Sequence, residues 1–368
     1  MEIFKEMEKD DYEQLIFCQD ESVGLKAIIC IHNTILGPAA GGARIYPYST
    51  EEEAIIDVLR LAKGMTYKAS VAGLDFGGGK AVIIGDPKDK SEALLRTFGK
   101  FIDTLGGKYI MAIDVGMTTE DVEIIRRETK HMVCLPKNLG GSGDPSPVTA
   151  FGVNWGLKAC LEEVFGSISV KGKTIAIQGI AGKVGKSLAQ LLAKEGAILF
   201  GSDANQKAAL EIGQELSATI VNPGVMPDKT YDFNQDEIYD VECDIFSPNA
   251  MGGILRDETI PRLRCKIIAG GANNQLLQPR HGDMLYRLGI LYAPDYVINA
   301  GGIINASHER DPGGYAEARA LADAKKIYDQ IKKVIEISKR DNIPTHLAAD
   351  RMAEERIHQA TLRKKLVV

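Results

Sequence analysis

Residues 174–203 read T-I-A-I-Q-G-I-A-G-K-V-G-K-S-L-A-Q-L-L-A-K-E-G-A-I-L-F-G-S-D. Thr174–Gln178 has strand character, and the glycines Gly179, Gly182 and Gly185 follow it. Ser187–Lys194 has a helical pattern, and Ile198–Ser202 is a second strand-like run ending in Asp203. Strand, glycine turn, helix, strand and acid in this order make a mononucleotide-binding βαβ unit. The glycines let a pyrophosphate approach the backbone, and the helix start offers amides and a favourable dipole. Asp203 lies 203 − 182 = 21 residues past Gly182, near the spacing of about 20 for an acid that binds ribose hydroxyls. The glycine pattern is one residue longer in its first half than G-x-G-x-x-G. Residues 179–187 also resemble a P-loop, but they are one residue too long for it and no magnesium-binding acid follows on a strand. The candidate cradle is therefore Gly179, Ile180, Ala181, Gly182, Lys183, Val184 and Gly185, with Asp203 beyond it.

Downstream, Cys243–Phe246 and Ile267–Ala269 read as further strands. Each runs into a polar or glycine-rich loop: residues 247–253, with Ala250, and residues 270–275, with Asn273 and Asn274. Ligands of open α/β sheets bind outside the C-terminal strand ends, so these loops should flank a nucleotide. Residues 299–305, N-A-G-G-I-I-N, read as another glycine-rich loop, and from Glu317 the chain reads as helical except near 341–344. Upstream, residues 140–147, G-G-S-G-D-P-S-P, have linker composition, and Pro147 suits the first turn of a helix running to about Phe165.

The first half centres on residues 63–84, K-G-M-T-Y-K-A-S-V-A-G-L-D-F-G-G-G-K-A-V-I-I. Thr50 and Glu53 form a capping-box pattern, and the helix it opens reaches Lys68. Gly77–Gly79 read as a turn before Lys80 and the strand Ala81–Ile84. A lysine in a dry cleft beside a second lysine loses its proton readily and can serve as a general base. The alternative is a tight turn with both lysines in water. Leu25–Ile31 and Tyr109–Ile113 read as strands, the second ending in Asp114, and a helix is expected near Glu92–Leu105. Residues 37–43, G-P-A-A-G-G-A, read as a loop or strand edge beside a ligand. Alternating helices and strands indicate an α/β domain with a mixed sheet.

Composition narrows the function. A length of 368 residues suggests two domains, and a net charge of −6 disfavours nucleic acid or an anionic membrane as partner. No apolar run nears the roughly 20 residues of a membrane span. The charged N-terminus lacks an apolar signal core, and the six scattered cysteines suit reduced core residues, so a cytoplasmic protein is expected. The six histidines show no ligand spacing, so no metal is expected.

Seven segments carry a family resemblance: residues 37–44, G-P-A-A-G-G-A-R; 64–68, G-M-T-Y-K; 77–80, G-G-G-K; 114–116, D-V-G; 145–150, P-S-P-V-T-A; 272–276, A-N-N-Q-L; and 293–302, A-P-D-Y-V-I-N-A-G-G. With these the chain resembles the glutamate, leucine, phenylalanine and valine dehydrogenase family, most of all its leucine branch. The resemblance implies an α/β protein of two domains flanking a cleft. Residues 1–146 would form a substrate-binding and oligomerisation domain with a mixed sheet. Residues 147–325 would form a Rossmann-type, doubly wound NAD-binding domain, and residues 326–368 would be helices packing back on the first. It implies oxidative deamination of an L-amino acid by NAD to a 2-oxo acid, ammonium and NADH. Leucine and other branched-chain or apolar amino acids are the expected substrates, phenylalanine or another bulky one the alternative.

By the same resemblance, Lys80 would be the general base and Asp114 a proton relay. Lys68, with Gly41 and Gly42, would bind the substrate carboxylate. Met65, Ala40, Ala112, Asn273, Ile303 and Ala306 would surround the substrate. Thr149 and Asn273 would hold the nicotinamide, beside the glycine cradle, Ala250 and Asp203. A homo-oligomer, octamer or dimer, is implied. The chain departs from the leucine branch at Ile113, where an acid is usual, and at Ala40, where a large apolar residue is usual. A reading of another class is a catalytically silent NAD-binding sensor.

Overall fold

The computed structural model describes residues 1–226 and 230–365. The chain divides into two compact units. The first holds residues 1–144, 306–317 and those from 353 on; the second holds 145–305 and 318–352.

The first unit is built on five strands: β1 (Gln14–Asp20), β2 (Leu25–Asn33), β3 (Ala39–Tyr46), β4 (Gly77–Ile84) and β5 (Tyr109–Ile113). Their order is β1-β2-β4-β3-β5, with β1, β2 and β4 antiparallel and β4, β3 and β5 parallel. The helices are α1 (Ile3–Lys9), α2 (Glu51–Val71), α3 (Glu92–Thr104) and α4 (Thr119–Ile125). Thr50 caps α2 by accepting from Glu53 N, while the Glu53 carboxylate accepts from Ser49 N, one residue earlier than the capping-box pattern expects. Ala54, Ile55, Val58, Leu59 and Ala62 of α2 bury against Ile28, Cys30 and Val82 on one sheet face. Leu95, Phe98 and Ile102 of α3 and Val122 and Ile125 of α4 cover the other.

Two expectations are corrected here. Gly77–Gly79 lie inside β4 rather than in a turn, and residues 39–43 form part of β3, a strand paired on both sides, rather than a loop. Packing explains both. A Cβ on Gly78 would stand 2.1 Å from Thr66 N of α2, and one on Gly41 would stand 1.8 Å from Gly79 O. Missing side chains let a helix and two strands approach closely where the lysines emerge. Gly78→Ala is therefore expected to destabilise the protein by about 3 kcal/mol, because α2 must lift from β4. Denaturant midpoints check this, and an unchanged midpoint contradicts it.

The second unit carries a six-stranded parallel sheet of β6 (Thr174–Gln178), β7 (Ile198–Ser202), β8 (Thr219–Ile220), β11 (Ile245–Pro248), β12 (Ile267–Ile268) and β13 (Leu291–Tyr292). A separate antiparallel pair, β9 (Pro223–Val225) and β10 (Tyr231–Asp236), precedes β11. The order β8-β7-β6-β11-β12-β13 is, in chain rank, 3-2-1-4-5-6, the doubly wound arrangement. Its helices are α5 (Ser146–Phe165), α6 (Lys183–Lys194), α7 (Gln206–Leu216), α8 (Pro279–Arg287), α9 (Asp295–Ile298) and α12 (Ile327–Asp341), while α10 (Gly301–Ser307), α11 (Glu317–Lys325, by its first residue) and α13 (Thr345–Lys365) each run across a unit boundary. Helix α6 starts four residues earlier than expected, and β11 lies two residues later. Residues 299–305 are largely helical rather than a loop. A Cβ on Gly301 would lie 2.5 Å from Val148 O, so the glycine serves close packing on α5.

The C-terminal helices do not behave as one block. Ile327 of α12 lies against Gly152 and Gly156 of α5. The second half of α13 belongs to the first unit, where Arg356 donates to Ser70 O (3.1 Å) and Leu74 O (2.8 Å) at the C-terminal end of α2.

Candidate active site

Three adjacent strands and α2 assemble the charged centre of the first unit. Lys80 projects from β4 and is 5% exposed. Its Nζ lies 2.9 Å from Asp114 Oδ2, just past the end of β5. Gly42 makes room for that carboxylate, since a Cβ there would stand 2.7 Å from Asp114 Cβ. Arg44 of β3 donates to the same Asp114 oxygen at 2.9 Å and, through its terminal nitrogen, to Asp57 Oδ2 at 2.8 Å. Tyr48 Oη donates to Asp57 Oδ2 at 2.7 Å, and Arg60 to Asp57 Oδ1 at 3.0 Å.

Burial pushes the Lys80 ammonium below its ordinary range; Asp114 pulls the other way, and Arg44 adds to the fall. Burial also works to raise the Asp114 carboxyl, but the charges and hydrogen bonds of Lys80 and Arg44 outweigh it and hold the carboxyl below the usual range. Arg44 is thus one like-charged neighbour acting on Lys80. Lys68 is half-buried on the last turns of α2, where its carbonyl accepts from Ala72 N. Met65 lies one turn earlier and reaches β3: its Cγ is 3.2 Å from where a Gly41 Cβ would be.

Ala40, Ile110, Val133, Cys134 and Ala306 form one apolar cluster, with Phe76, Ala112 and Ile113 packed against it. The structure therefore brings Ala40, Ala112 and Ala306 together. Cys134 enters the cluster with a left-handed backbone, φ 68°. The Glu309 carboxylate holds it there, accepting from Cys134 N (3.0 Å), Leu135 N (3.2 Å), Ser142 N (2.8 Å) and Ser142 Oγ (2.5 Å). Left-handed backbone disfavours side chains other than glycine, so this network holds a strained point.

In the second unit, the glycine loop leaves β6 at the position where the strand order reverses. Gly179 adopts φ 77° and abuts Ala250: a Cβ on it would stand 2.8 Å from Ala250 Cβ. A Cβ on Gly185 would stand 2.0 Å from Gly179 O, so this glycine permits the tight approach of α6 to the loop. Gly182 caps α6 without a side-chain hydrogen bond. Asp203 accepts from Ala181 N (3.0 Å) and from Asn205 N (2.9 Å). The lengthened first half of the loop is thus tied by its Ala181 amide to the acid. The neighbouring strand-end loops meet there. Gly271 N donates to Asn249 Oδ1 at 2.9 Å, a Gly271 Cβ would lie 2.8 Å from Val184, and Asn273 accepts from Asn299 at 2.8 Å. Thr149 donates to Pro145 O in the first turn of α5 and lies beside Gly302 of α10. Ile303, on α10, belongs to this second unit, whereas Ala306 belongs to the first.

Arg44, Asp57, Tyr48 and Glu309 escape a sequence reading. Arg44 closes the G-P-A-A-G-G-A-R segment, whose residue order says nothing of its two carboxylate partners. Glu309 stands in A-S-H-E-R, which carries no local pattern.

Comparison with known proteins fits this geometry. Residues 13–131 match the model of the Glu/Leu/Phe/Val dehydrogenase dimerisation domain, and residues 140–364 match that of Glutamate/Leucine/Phenylalanine/Valine dehydrogenase. The chain is 54% identical to leucine dehydrogenase of Geobacillus stearothermophilus, over 99% of this chain and 95% of that one. It is 48% identical to phenylalanine dehydrogenase of Bacillus thermotolerans, over 97% and 91%. The solved L-tryptophan dehydrogenase of Nostoc punctiforme superposes with a TM-score of 0.84 at 43% identity, covering 98% of this chain and 99% of that one. The chain belongs to the Glu/Leu/Phe/Val dehydrogenase family of amino-acid dehydrogenases.

Proposed function

We propose that the protein carries out reversible, NAD-dependent oxidative deamination of L-leucine and other apolar L-amino acids to the 2-oxo acid, ammonium and NADH. The buried Lys80–Asp114 pair is the observation that carries this reading. Neutral Lys80 takes a proton from the water that attacks the substrate iminium carbon, and Asp114 moves protons to and from the amino group. Lys68, with the backbone of Gly41 and Gly42, holds the substrate carboxylate. Ala40, Ala112, Ala306 and Met65 of the first unit receive the substrate side chain; for Asn273 and Ile303 a substrate role rests on the family resemblance alone. NAD supplies the acceptor for the hydride that leaves the α-carbon.

The second unit fits a dinucleotide. Gly179 and Gly185 stand where a Cβ would collide, and the first amides of α6 carry no side-chain cap. Ile180, Ala181, Gly182, Lys183 and Val184 complete the cradle, Ala250 borders it, and Thr149 and Asn273 hold the nicotinamide amide. Asp203 keeps acceptor capacity for the ribose hydroxyls beside its two backbone bonds. Asp203 would also repel a 2′-phosphate. NAD is therefore expected to be preferred over NADP by at least about tenfold in kcat/KM, and Asp203→Ser to narrow the gap. Equal use of both cofactors contradicts the role of Asp203.

The apolar side-chain wall also disfavours glutamate, whose carboxylate would be buried without a cation. The test is kcat/KM for L-leucine against L-glutamate; a preference for glutamate overturns the substrate assignment. The match of residues 13–131 to a dimerisation domain supports a homo-oligomer as the working form. No helix of the described residues is long and apolar enough to cross a membrane.

A further inference from the structure

The charged centre extends past the two groups proposed to do chemistry. Arg44 sits between two carboxylates, 2.9 Å from Asp114 and 2.8 Å from Asp57. Asp57 is in turn held by Tyr48 and Arg60. Asp57 and Arg44 are only about one-fifth exposed or less, at 15% and 21% for their side chains. The chain is therefore Lys80, Asp114, Arg44, Asp57: alternating charges running from the floor of the site to the side of α2. With Lys80 protonated the four charges cancel. Arg60, on the other Asp57 oxygen at 3.0 Å, adds one positive charge, and the sum falls by one when Lys80 gives up its proton.

We infer that Arg44 and Asp57 are positioning residues of this site: Arg44 fixes the Asp114 carboxylate against Lys80, and Asp57 holds Arg44 and balances its charge. This rests on the reading of Lys80 as general base. The two residues act on Lys80 in opposite senses, because Arg44 opposes its protonation and Asp57 favours it. Two further titratable groups lie beside Lys80 on the neighbouring strands. Tyr109 of β5 is pushed far up by burial, as is Cys30 of β2, to about 12, so both stay neutral. Cys30 is the residue paired with Lys80 in the sheet register. Lys68 lies further along α2 and is assigned to the substrate carboxylate.

The experiment is the pH profile of kcat/KM for L-leucine, whose acid limb reports the base of the free enzyme. The native enzyme is compared with Arg44→Gln, Arg44→Lys, Asp57→Asn and Lys80→Ala. Loss of the Arg44 charge lets Lys80 hold its proton longer, so the acid limb of Arg44→Gln is expected to move up by about half a pH unit or more. Loss of the Asp57 charge does the reverse, so that of Asp57→Asn is expected to move down by a similar amount. Arg44→Lys keeps the charge and is expected to keep the native limb, with a lower rate from looser placement of Asp114. Shifts in the same direction, or none, with an inactive Lys80→Ala overturn this inference and leave the base assignment standing. A Lys80→Ala enzyme with native turnover overturns both. Asp57→Asn, which leaves the Arg44–Asp114 contact in place, carries the test if Arg44→Gln does not fold.

Discussion

Lys80→Ala is expected to lower kcat by about 10²- to 10⁴-fold, the range that a positioned general base contributes. The reason is local. Lys80 is almost fully buried, and that burial makes its charged form costly and pulls its pKa below the ordinary lysine value. Activity should accordingly rise with pH through the Lys80 pKa and fall away below it, where the lysine is protonated and cannot accept. Without the amine, the attacking water has no acceptor at the required place, and Asp114 remains paired to Arg44. Under the proposed assignment of the cofactor to the second unit, its binding should survive, so the Kd for NADH is expected to stay near native while turnover collapses. Small primary amines added to the variant are expected to restore part of the rate. Near-native turnover of Lys80→Ala would move the base elsewhere.

Ala40→Leu is expected to reorder substrates. The alanine is 5% exposed and shares a cluster with Ile110, Val133, Cys134 and Ala306. Ala40, Ala112 and Ala306 together leave a roomy wall, so the native enzyme is expected to extend from leucine to methionine and phenylalanine, with valine relatively poor. A leucine at position 40 fills that volume. Each methylene in an apolar pocket is worth roughly 1–3 kcal/mol, so kcat/KM for phenylalanine should fall about 10- to 200-fold relative to valine. Cys134 offers the opposite change. Its backbone already has the angle glycine prefers, so Cys134→Gly removes side-chain volume and relieves strain together, and should raise the relative rate on bulky substrates without lowering Tm. If valine is the best native substrate, or if Ala40→Leu leaves the ranking unchanged, Ala40 does not set pocket size.

The nucleotide unit was the more legible half of the sequence. Short apolar runs, glycines at a turn and an acid at the next strand end are local signals, and each lies where the pattern puts it, from Thr174 to Asp203. The first unit hides its logic in long-range packing. Gly77–Gly79 and Gly41–Gly42 look like turn and loop residues, yet they are strand residues whose missing side chains admit α2, β2 and Asp114. No sequence window shows what a Cβ would strike. The same holds for Arg44 and Asp57, which meet across 13 residues through a strand and a helix, and for Glu309, which reaches Cys134 from 175 residues away. The family resemblance named Lys80 and Asp114, but the charges that tune them became visible only in the fold.

The central claim is that a buried lysine paired to an aspartate removes the amino group of an L-amino acid while a separate unit holds NAD. The most direct test incubates the native protein and Lys80→Ala with L-leucine and NAD, and measures NADH, ammonium and 2-oxo acid together with NADH binding. The account predicts the three products in equal amounts from the native protein, and NADH binding with almost no product from Lys80→Ala. A native protein that binds NADH yet forms no product from leucine, valine, methionine or phenylalanine would contradict it and point to a silent nucleotide-binding protein.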